Sequence, residues 1–355
     1  MANEYRQRAR DRYAYLVRRH FLWLLLGCYA LAAIWPGPGA WLRQWTWSPG
    51  SVPSLTVPLV LLATMLFSAA LLAEVAQIRA VIQQPLLVCV ATLAVWIGPA
   101  LLVILGGYLV PLFVSEQPAT GVLVGLTLVA TMPVANSSTG WTQNSHGNLA
   151  LSLALVVLSI ALCSFVTPGM LSALGMSLSA SERAYFEALV NRFSGEFFIV
   201  WVIVPTLAGF ACRWLLTPRR VALVAHWFIF ASAGALLLLN YINAAIALPP
   251  LTDSPLLVVF VTASFATALS AVGIFSGWLI ARLLRQPVEM RTALLFGLSM
   301  KHTGLALVLA ASVLANQPFA ILMLVLATLS QHLCAAFVQW FLQRGATAGL
   351  RSSAI

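Results

Sequence analysis

The chain has 355 residues, of which 61% are hydrophobic and only 8% are charged. A water-soluble protein of this length could not bury so much apolar surface, so the composition predicts a protein with the lipid bilayer as its solvent. The formal net charge of +10 comes mainly from arginines between apolar runs and at the N-terminus, a distribution that argues against nucleic acid as a partner.

Ten apolar runs of membrane-spanning length follow one another, separated by clusters of proline, glycine and charged residues. They lie near residues 21–35, 54–74, 86–112, 119–145, 148–175, 194–215, 222–248, 255–283, 289–315 and 318–342. The pattern predicts an all-α polytopic membrane protein with ten transmembrane helices.

The basic residues between these runs predict the orientation of the chain, because Lys and Arg concentrate in cytoplasmic loops. With the N-terminus inside, fifteen arginines fall on the cytoplasmic side and three, Arg43, Arg183 and Arg192, on the other. We therefore expect a multi-pass protein of the bacterial inner (cytoplasmic) membrane with both termini in the cytoplasm.

The longest polar interval between the runs divides them into two sets of five. An odd number of spans per set forces the two sets into opposite orientations, which is the inverted-repeat plan of many secondary carriers. The predicted parts of this single transporter domain are a basic cytoplasmic N-tail at 1–20, a first five-helix repeat at 21–175, an external linker at 176–193, a second, inverted repeat at 194–342 and a cytoplasmic tail at 343–355.

The fourth run is interrupted by Pro133 and, shortly after it, by the polar residues Asn136, Ser137, Ser138 and Thr139. A helix break near 133–139 is predicted, because backbone groups freed at membrane depth need protein, water or ions as partners, as at transport sites. The alternative is a kinked helix whose Ser and Thr side chains bond to their own backbone.

The ninth run is interrupted at the corresponding place by Ser299, Lys301, His302 and Thr303, which predicts a second break near 299–304. Lys301 is the only lysine in the chain. An ionisable group at this depth normally faces a cavity or a partner, although a lysine can also extend its ammonium towards the membrane surface.

Other polar residues fall within apolar runs and rank second as candidates, because hydrogen bonds between helices explain them as well as substrate contact does. They are Ser152, Ser159, Asn240, Asn243, Gln331 and His332.

Two segments carry a family resemblance. VGLTLVATMPVANSSTGWTQNSHGNLALSLALVVLS, followed by TPGML, resembles the fourth and fifth helices of the bile acid:sodium symporter family, and RTALLFGLSMKHTGLALVLA resembles its ninth. The segment from Met65 to Leu105 also fits the second and third helices of that family, so the resemblance covers most of the chain and suggests a divergent bacterial member.

The resemblance implies a panel domain and a core domain, with broken helices 4 and 9 crossing in the core and an organic anion bound between the domains. It also implies two sodium sites. The first would use Ser138, Thr139 and Ser152, and the second would use groups around Leu298, Met300 and Lys301.

Four positions depart from the family pattern. Its ninth-helix glutamate falls on Gly297 and its following glutamine on Lys301, while a third-helix glutamine falls on Ala94 and a fifth-helix threonine on Val156. These departures oppose sodium binding, because a hard cation wants several oxygen ligands, preferably with a carboxylate. An ammonium in this neighbourhood could replace the ion electrostatically.

The leading expectation is a secondary active transporter of a small organic anion, working by alternating access with altered or absent sodium coupling. Alternatives are a standard sodium-coupled symporter of bile-acid-like or carboxylate solutes, and, from other classes, a transport-inactive membrane sensor or an intramembrane enzyme. No enzyme motif stands out, no cofactor other than sodium is expected, and both a monomer and a homodimer remain open.

The candidate substrate- and ion-binding residues are Asn136, Ser137, Ser138, Thr139, Ser152, Ser299, Lys301, His302, Thr303 and Asn240.

Overall fold

The structure of the chain is a computed structural model. It describes residues 20, 23–47, 55–72, 84–176, 180–194, 199–249, 255–314 and 316–352. The basic N-terminal residues 1–19 and the last three residues of the predicted C-terminal tail lie outside the described residues.

The described residues of the first half of the chain form helices and one short hairpin, joined by short connections. Its helices are α1 (Trp23–Ile34), α2 (Gly37–Gln44), α3 (Val57–Leu72), α4 (Pro85–Phe113), α5 (Glu116–Thr131), α6 (Ser137–Asn144) and α7 (Leu149–Met176). The strands β1 (Thr46–Trp47) and β2 (Leu55–Thr56) pair antiparallel between α2 and α3.

The second half continues with α8 (Ala180–Ser194), a π-helical turn (Ile199–Ile203), α9 (Val204–Leu215), α10 (Pro218–Ala247), α11 (Leu256–Leu283), α12 (Val288–Ser299), α13 (Thr303–Val313) and α14 (Pro318–Ser352). The interval that the sequence presents as a linker, 176–193, thus contains most of a helix, α8.

Five of the described helices are long and apolar enough to cross a bilayer, namely α4, α7, α10, α11 and α14. The pair α1 and α2 would be a sixth span, bent by 94°. Shorter apolar helices are α3, the segment Ile199–Leu215, and α13. The chain is therefore an all-α, multi-pass membrane protein, to which the two-residue strands add only a small hairpin.

The described helices pack in two groups that meet along one interface. In the first group, α3 packs against α9 and α10, and α10 packs against α2. The second group contains α4 to α8 and α11 to α14, with α11 at the centre of its closest contacts. Between the groups, α10 packs against α13 and α14, and α3 packs against α13.

Glycines let α11 and α12 approach each other at backbone distance. A Cβ atom on Gly277 would lie 2.6 Å from the carbonyl oxygen of Leu294, and one on Gly273 would collide with the backbone of Leu298 and Ser299. Real Cβ atoms do not approach a backbone this closely, so any side chain here would push α12 away. The close approach fixes the end of α12, where the second helix break begins.

Candidate functional site

The two polar interruptions are helix breaks, and the broken segments pair with each other. The first break separates α5 from α6 at residues 132–136, and the second separates α12 from α13 at residues 300–302. Both are shorter than predicted, because Ser137, Ser138 and Thr139 begin α6 and Thr303 and Gly304 begin α13. Val134 and Lys301 form an antiparallel bridge where the segments meet.

Backbone groups freed by one break are satisfied largely by the other. Ala135 N donates to Met300 O at 2.9 Å, and His302 N donates to Pro133 O at 2.8 Å. Side chains complete the pairing: Val134 N donates to Ser159 Oγ at 3.0 Å, and Lys301 N donates to Gln331 Oε1 at 2.9 Å. This explains how two non-helical segments persist inside an apolar bundle.

The ammonium of Lys301 lies in a cage of backbone carbonyls. The residue is only 2% exposed, and Nζ donates to Ala130 O and Met132 O, each at 3.1 Å, and to Val95 O. An ammonium has three donors, so these three acceptors satisfy it completely. Ala130 and Met132 lie at the C-terminal end of α5, where the helix dipole favours a cation.

The third carbonyl of the cage is available because of a proline. In α4, the residue four positions after Val95 is Pro99, which has no N–H to donate to the Val95 carbonyl. The carbonyl of Thr131, at the neighbouring end of α5, also bonds to side chains. Thr131 O accepts from Trp96 Nε1 at 3.0 Å and from Thr167 Oγ1 at 2.8 Å. The carbonyls of the cage thus come from two elements, α4 and the C-terminal end of α5, which converge on Lys301.

The three hydroxyls that the family resemblance assigns to a first sodium site have different surroundings in the described structure. Thr139 Oγ1 donates to Asn136 O at 2.7 Å, and Ser152 Oγ accepts from Thr142 Oγ1 at 3.3 Å. Ser138 Oγ is buried without a hydrogen-bond partner in the described structure. Thr142, which the sequence did not single out, is therefore the hydroxyl in direct contact with Ser152.

Gly297 packs against the terminal methyl group of one flexible side chain. A Cβ atom there would lie 2.9 Å from Leu155 Cδ1, so Leu155 fills the space beside the glycine. A carboxylate at this position would require Leu155 to move.

A cavity of about 1250 Å³ lies between the two groups of helices and reaches the crossing of the breaks. Most of its wall is apolar, contributed by α3, α7, α9 and α10. At the crossing its polar wall is formed by residues from both breaks and from α14: Asn136, Ser137, Thr139, Lys301, His302, Thr303, Gln331 and His332. Its volume exceeds what a drug-sized molecule needs.

Several polar atoms at the crossing are buried without a protein partner in the described structure. They are both side-chain heteroatoms of Asn136, Oγ of Ser137 and Nε2 of His302. His302 Nδ1 accepts from Leu305 N at 3.1 Å, so in the neutral ring the proton is on Nε2, which is a donor. A buried donor without a partner is costly, and a bound solute would supply the missing acceptor.

Two helix N-termini add positive potential at the same place. Both α6 and α13 begin at the crossing, and the first backbone N–H groups of a helix carry partial positive charge. The Asn136 side chain makes no capping hydrogen bond to α6 in the described structure, whereas His302 caps α13 by accepting from Leu305 N. Together with Lys301, these groups favour an anion at the inner end of the cavity.

The outer part of the cavity is basic as well. Arg213 at the end of α9, and Arg219 and His226 in α10, contribute to its wall, and no acidic residue is among the described residues that line it. An anion entering between α9 and α10 would therefore meet positive charge before it reaches the crossing.

The structure brings together most of the predicted candidates but not all. Asn136, Ser137, Thr139, Lys301, His302 and Thr303 line the cavity. Ser138, Ser152, Ser299 and Asn240 are buried outside the described cavity wall. Asn240 accepts a hydrogen bond from Tyr29 at 3.0 Å and donates to Leu236 O at 2.8 Å, which is a structural role between helices.

Sequence reasoning missed the arginines of the cavity wall and the carbonyl cage. In the sequence, Arg213 and Arg219 are among the fifteen arginines that predict orientation, and nothing else distinguishes them. Val95 carries no polar side chain, and only Pro99 four residues later could have indicated a free carbonyl. Trp141 and Asn144, which also line the cavity, lie shortly after the predicted break, in α6.

Comparison with known proteins gives two findings. A sequence model described as the Sodium Bile acid symporter family matches residues 59–252, more than half of the chain. An uncharacterised protein, YbaS of Bacillus subtilis (strain 168), is 24% identical over 284 residues, which cover 79% of this chain and 87% of that protein. The family match includes the first helix break, whereas Lys301 lies C-terminal to it.

Proposed function

The chain belongs to the Sodium Bile acid symporter family, a family of organic anion transporters rather than enzymes, and on that premise we propose that it carries a small amphipathic organic anion by alternating access without sodium coupling. The observation that carries the proposal is the set of polar groups at the inner end of the cavity. Donors from Asn136, Ser137 and His302 lack protein partners there, beside a lysine whose ammonium already occupies a cage of carbonyl oxygens.

The proposed substrate follows from the chemistry of the cavity wall. Donors and positive charge at the crossing suit a carboxylate or sulfonate, because charge-assisted hydrogen bonds are the strong ones. The apolar side chains of α3, α7, α9 and α10 suit a hydrocarbon body. A fully polar anion would leave this wall without a partner, so the cavity favours an amphipathic solute.

The proposed mechanism uses the two groups of helices as moving bodies. In this interpretation the chain forms ten spans in two inverted repeats. The panel contains α1, α2, α3, α9 and α10, and the core contains the remaining helices, with α5–α6 and α12–α13 as the broken spans. Rocking of the core against the panel would expose the crossing to alternate sides. The arginine distribution supports a cytoplasmic position for Arg213, Arg219 and the cavity mouth in this interpretation.

Lys301 takes the place of a coupling cation in this account. An ammonium with three carbonyl acceptors is fully bonded, whereas a neutral amine would leave one carbonyl unpaired. A sodium ion at about 4 Å from this ammonium would be repelled by about 4 kcal/mol at an effective dielectric constant of 20. The caged charge therefore favours a uniporter, an exchanger or a proton-coupled carrier over a sodium symporter.

The proposal is tested by uptake into proteoliposomes. The purified full chain is reconstituted, and radiolabelled carboxylates and sulfonates, with taurocholate among them, are added outside. We expect saturable uptake of at least one amphipathic anion above that of protein-free vesicles, and none of a neutral analogue of the same size. Binding without uptake of any probe would favour the transport-inactive sensor, and chemical conversion of a probe would favour an enzyme.

A further inference from the structure

A second cavity, of about 460 Å³, lies at the turn between α11 and α12, away from the crossing. Its wall contains the arginines Arg282, Arg285 and Arg291, together with Trp278 and Gln286. We name it the arginine pocket. No acidic residue belongs to its described wall, so three like charges converge on one small space without a counter-charge from the wall.

The turn that forms the arginine pocket is held by its own hydrogen bonds. Arg285 N donates to Arg282 O at 3.2 Å and Gln286 N donates to Ala281 O at 2.8 Å, which closes the end of α11. Arg285 has a φ of 50°, a conformation in which glycine is the usual residue after a helix. Glycine would be favoured here if the residue served only to end the helix. The arginine adds a guanidinium group at this point.

The surroundings of the arginine pocket indicate which anion it would meet. Arg282 lies over the ring of Trp278, with its guanidinium carbon 5.2 Å from the ring centroid. The same end of α11 presents apolar side chains outwards, Phe275 at 58% and Leu283 at 71% exposed. Tryptophan and arginine at the end of an apolar spanning helix are typical of the headgroup level of a bilayer.

We propose that the arginine pocket binds the phosphate group of an anionic phospholipid. Guanidinium groups recognise phosphate through paired hydrogen bonds, and basic pockets between spanning helices on the cytoplasmic side suit such headgroups. The acyl chains would lie along Phe275 and Leu283. An excess of cytoplasmic arginine explains three charges near this turn, but not their convergence on one cavity beside an exposed apolar helix face.

The test is native mass spectrometry of the purified full chain with phosphatidylglycerol or phosphatidylcholine added at equal concentration. We expect more bound phosphatidylglycerol than phosphatidylcholine, and a loss of affinity for phosphatidylglycerol of about five-fold for each arginine removed in Arg285→Gln and Arg285→Gln/Arg291→Gln. Arg285→Lys, which keeps the charge, should lose less. Arg220→Gln, which removes one exposed arginine from α10, is the matched control and should bind as the wild type does.

Three results would overturn the proposal. They are equal binding of the two lipids to the wild type, an unchanged affinity in the double variant, and a loss in Arg220→Gln as large as in Arg285→Gln. Competition with inorganic phosphate at the same concentration distinguishes the phosphate of a lipid headgroup from free phosphate as the ligand. We expect inorganic phosphate not to displace phosphatidylglycerol, and full displacement would assign the pocket to a soluble anion instead.

Discussion

Lys301→Met should reduce uptake at least ten-fold and lower the free energy of unfolding by about 3 kcal/mol or more. Methionine has a similar length but no donor, so the carbonyls of Ala130, Met132 and Val95 would lose their partner. Each buried polar group left without a partner costs about 1 to 3 kcal/mol. The measurements are uptake of the best anion from the probe panel and the melting temperature of the detergent-purified protein.

Two further variants separate charge from fit at this position. Lys301→Gln keeps a hydrogen-bond donor but removes the charge, and it should also lose most of its uptake because the inner end of the cavity becomes less positive. Lys301→Arg keeps the charge, yet its planar guanidinium cannot reproduce the compact donors of an ammonium, so rescue should be incomplete. Wild-type uptake in Lys301→Met or Lys301→Gln would show that the caged charge has no part in transport.

Asn136→Asp should abolish measurable uptake while the protein still folds. The substitution keeps the shape of the side chain but places a carboxylate where the substrate anion is proposed to bind. Two like charges about 4 Å apart repel by about 4 kcal/mol at an effective dielectric constant of 20, which corresponds to roughly a thousand-fold loss of affinity. The measurement is the concentration dependence of uptake, with gel filtration to follow folded yield.

Asn136→Ala is the matched control for this variant. It removes the amide without adding a charge, and we expect only the loss of ordinary hydrogen bonds, about 1 kcal/mol each, seen as a rise in KM of roughly five- to ten-fold. If Asn136→Asp transports the anion as well as Asn136→Ala does, the anionic group does not bind beside Asn136.

The positions of the helix breaks could be predicted because their cause is local. Pro133 biases the residue before it away from the helical conformation, and Met132 is indeed extended, with φ −70° and ψ 151°. The breaks are shorter than predicted because helical hydrogen bonding resumes within a few residues, and at the second break His302 caps the new helix by accepting from Leu305 N. Ser137 and Thr303 therefore begin new helices instead of extending the breaks.

The carbonyl cage could not be predicted, because it joins residues far apart in sequence. Lys301 and Val95 are separated by 206 positions, and a backbone carbonyl leaves no trace in the residue type that carries it. The role of Arg219 in the cavity wall was hidden for another reason. Arginines at a helix start on the cytoplasmic side are so common that their pattern indicates orientation and says nothing of a cavity.

Uptake with and without sodium tests the central claim most directly. Proteoliposomes containing the wild-type chain are loaded and diluted in choline chloride or in sodium chloride at equal ionic strength, and initial uptake of the best anion probe is measured over a range of sodium concentrations. With Lys301 in place of the coupling ion, the rates in the two salts should be equal within error at every concentration. Uptake that requires sodium and saturates with its concentration would contradict the account.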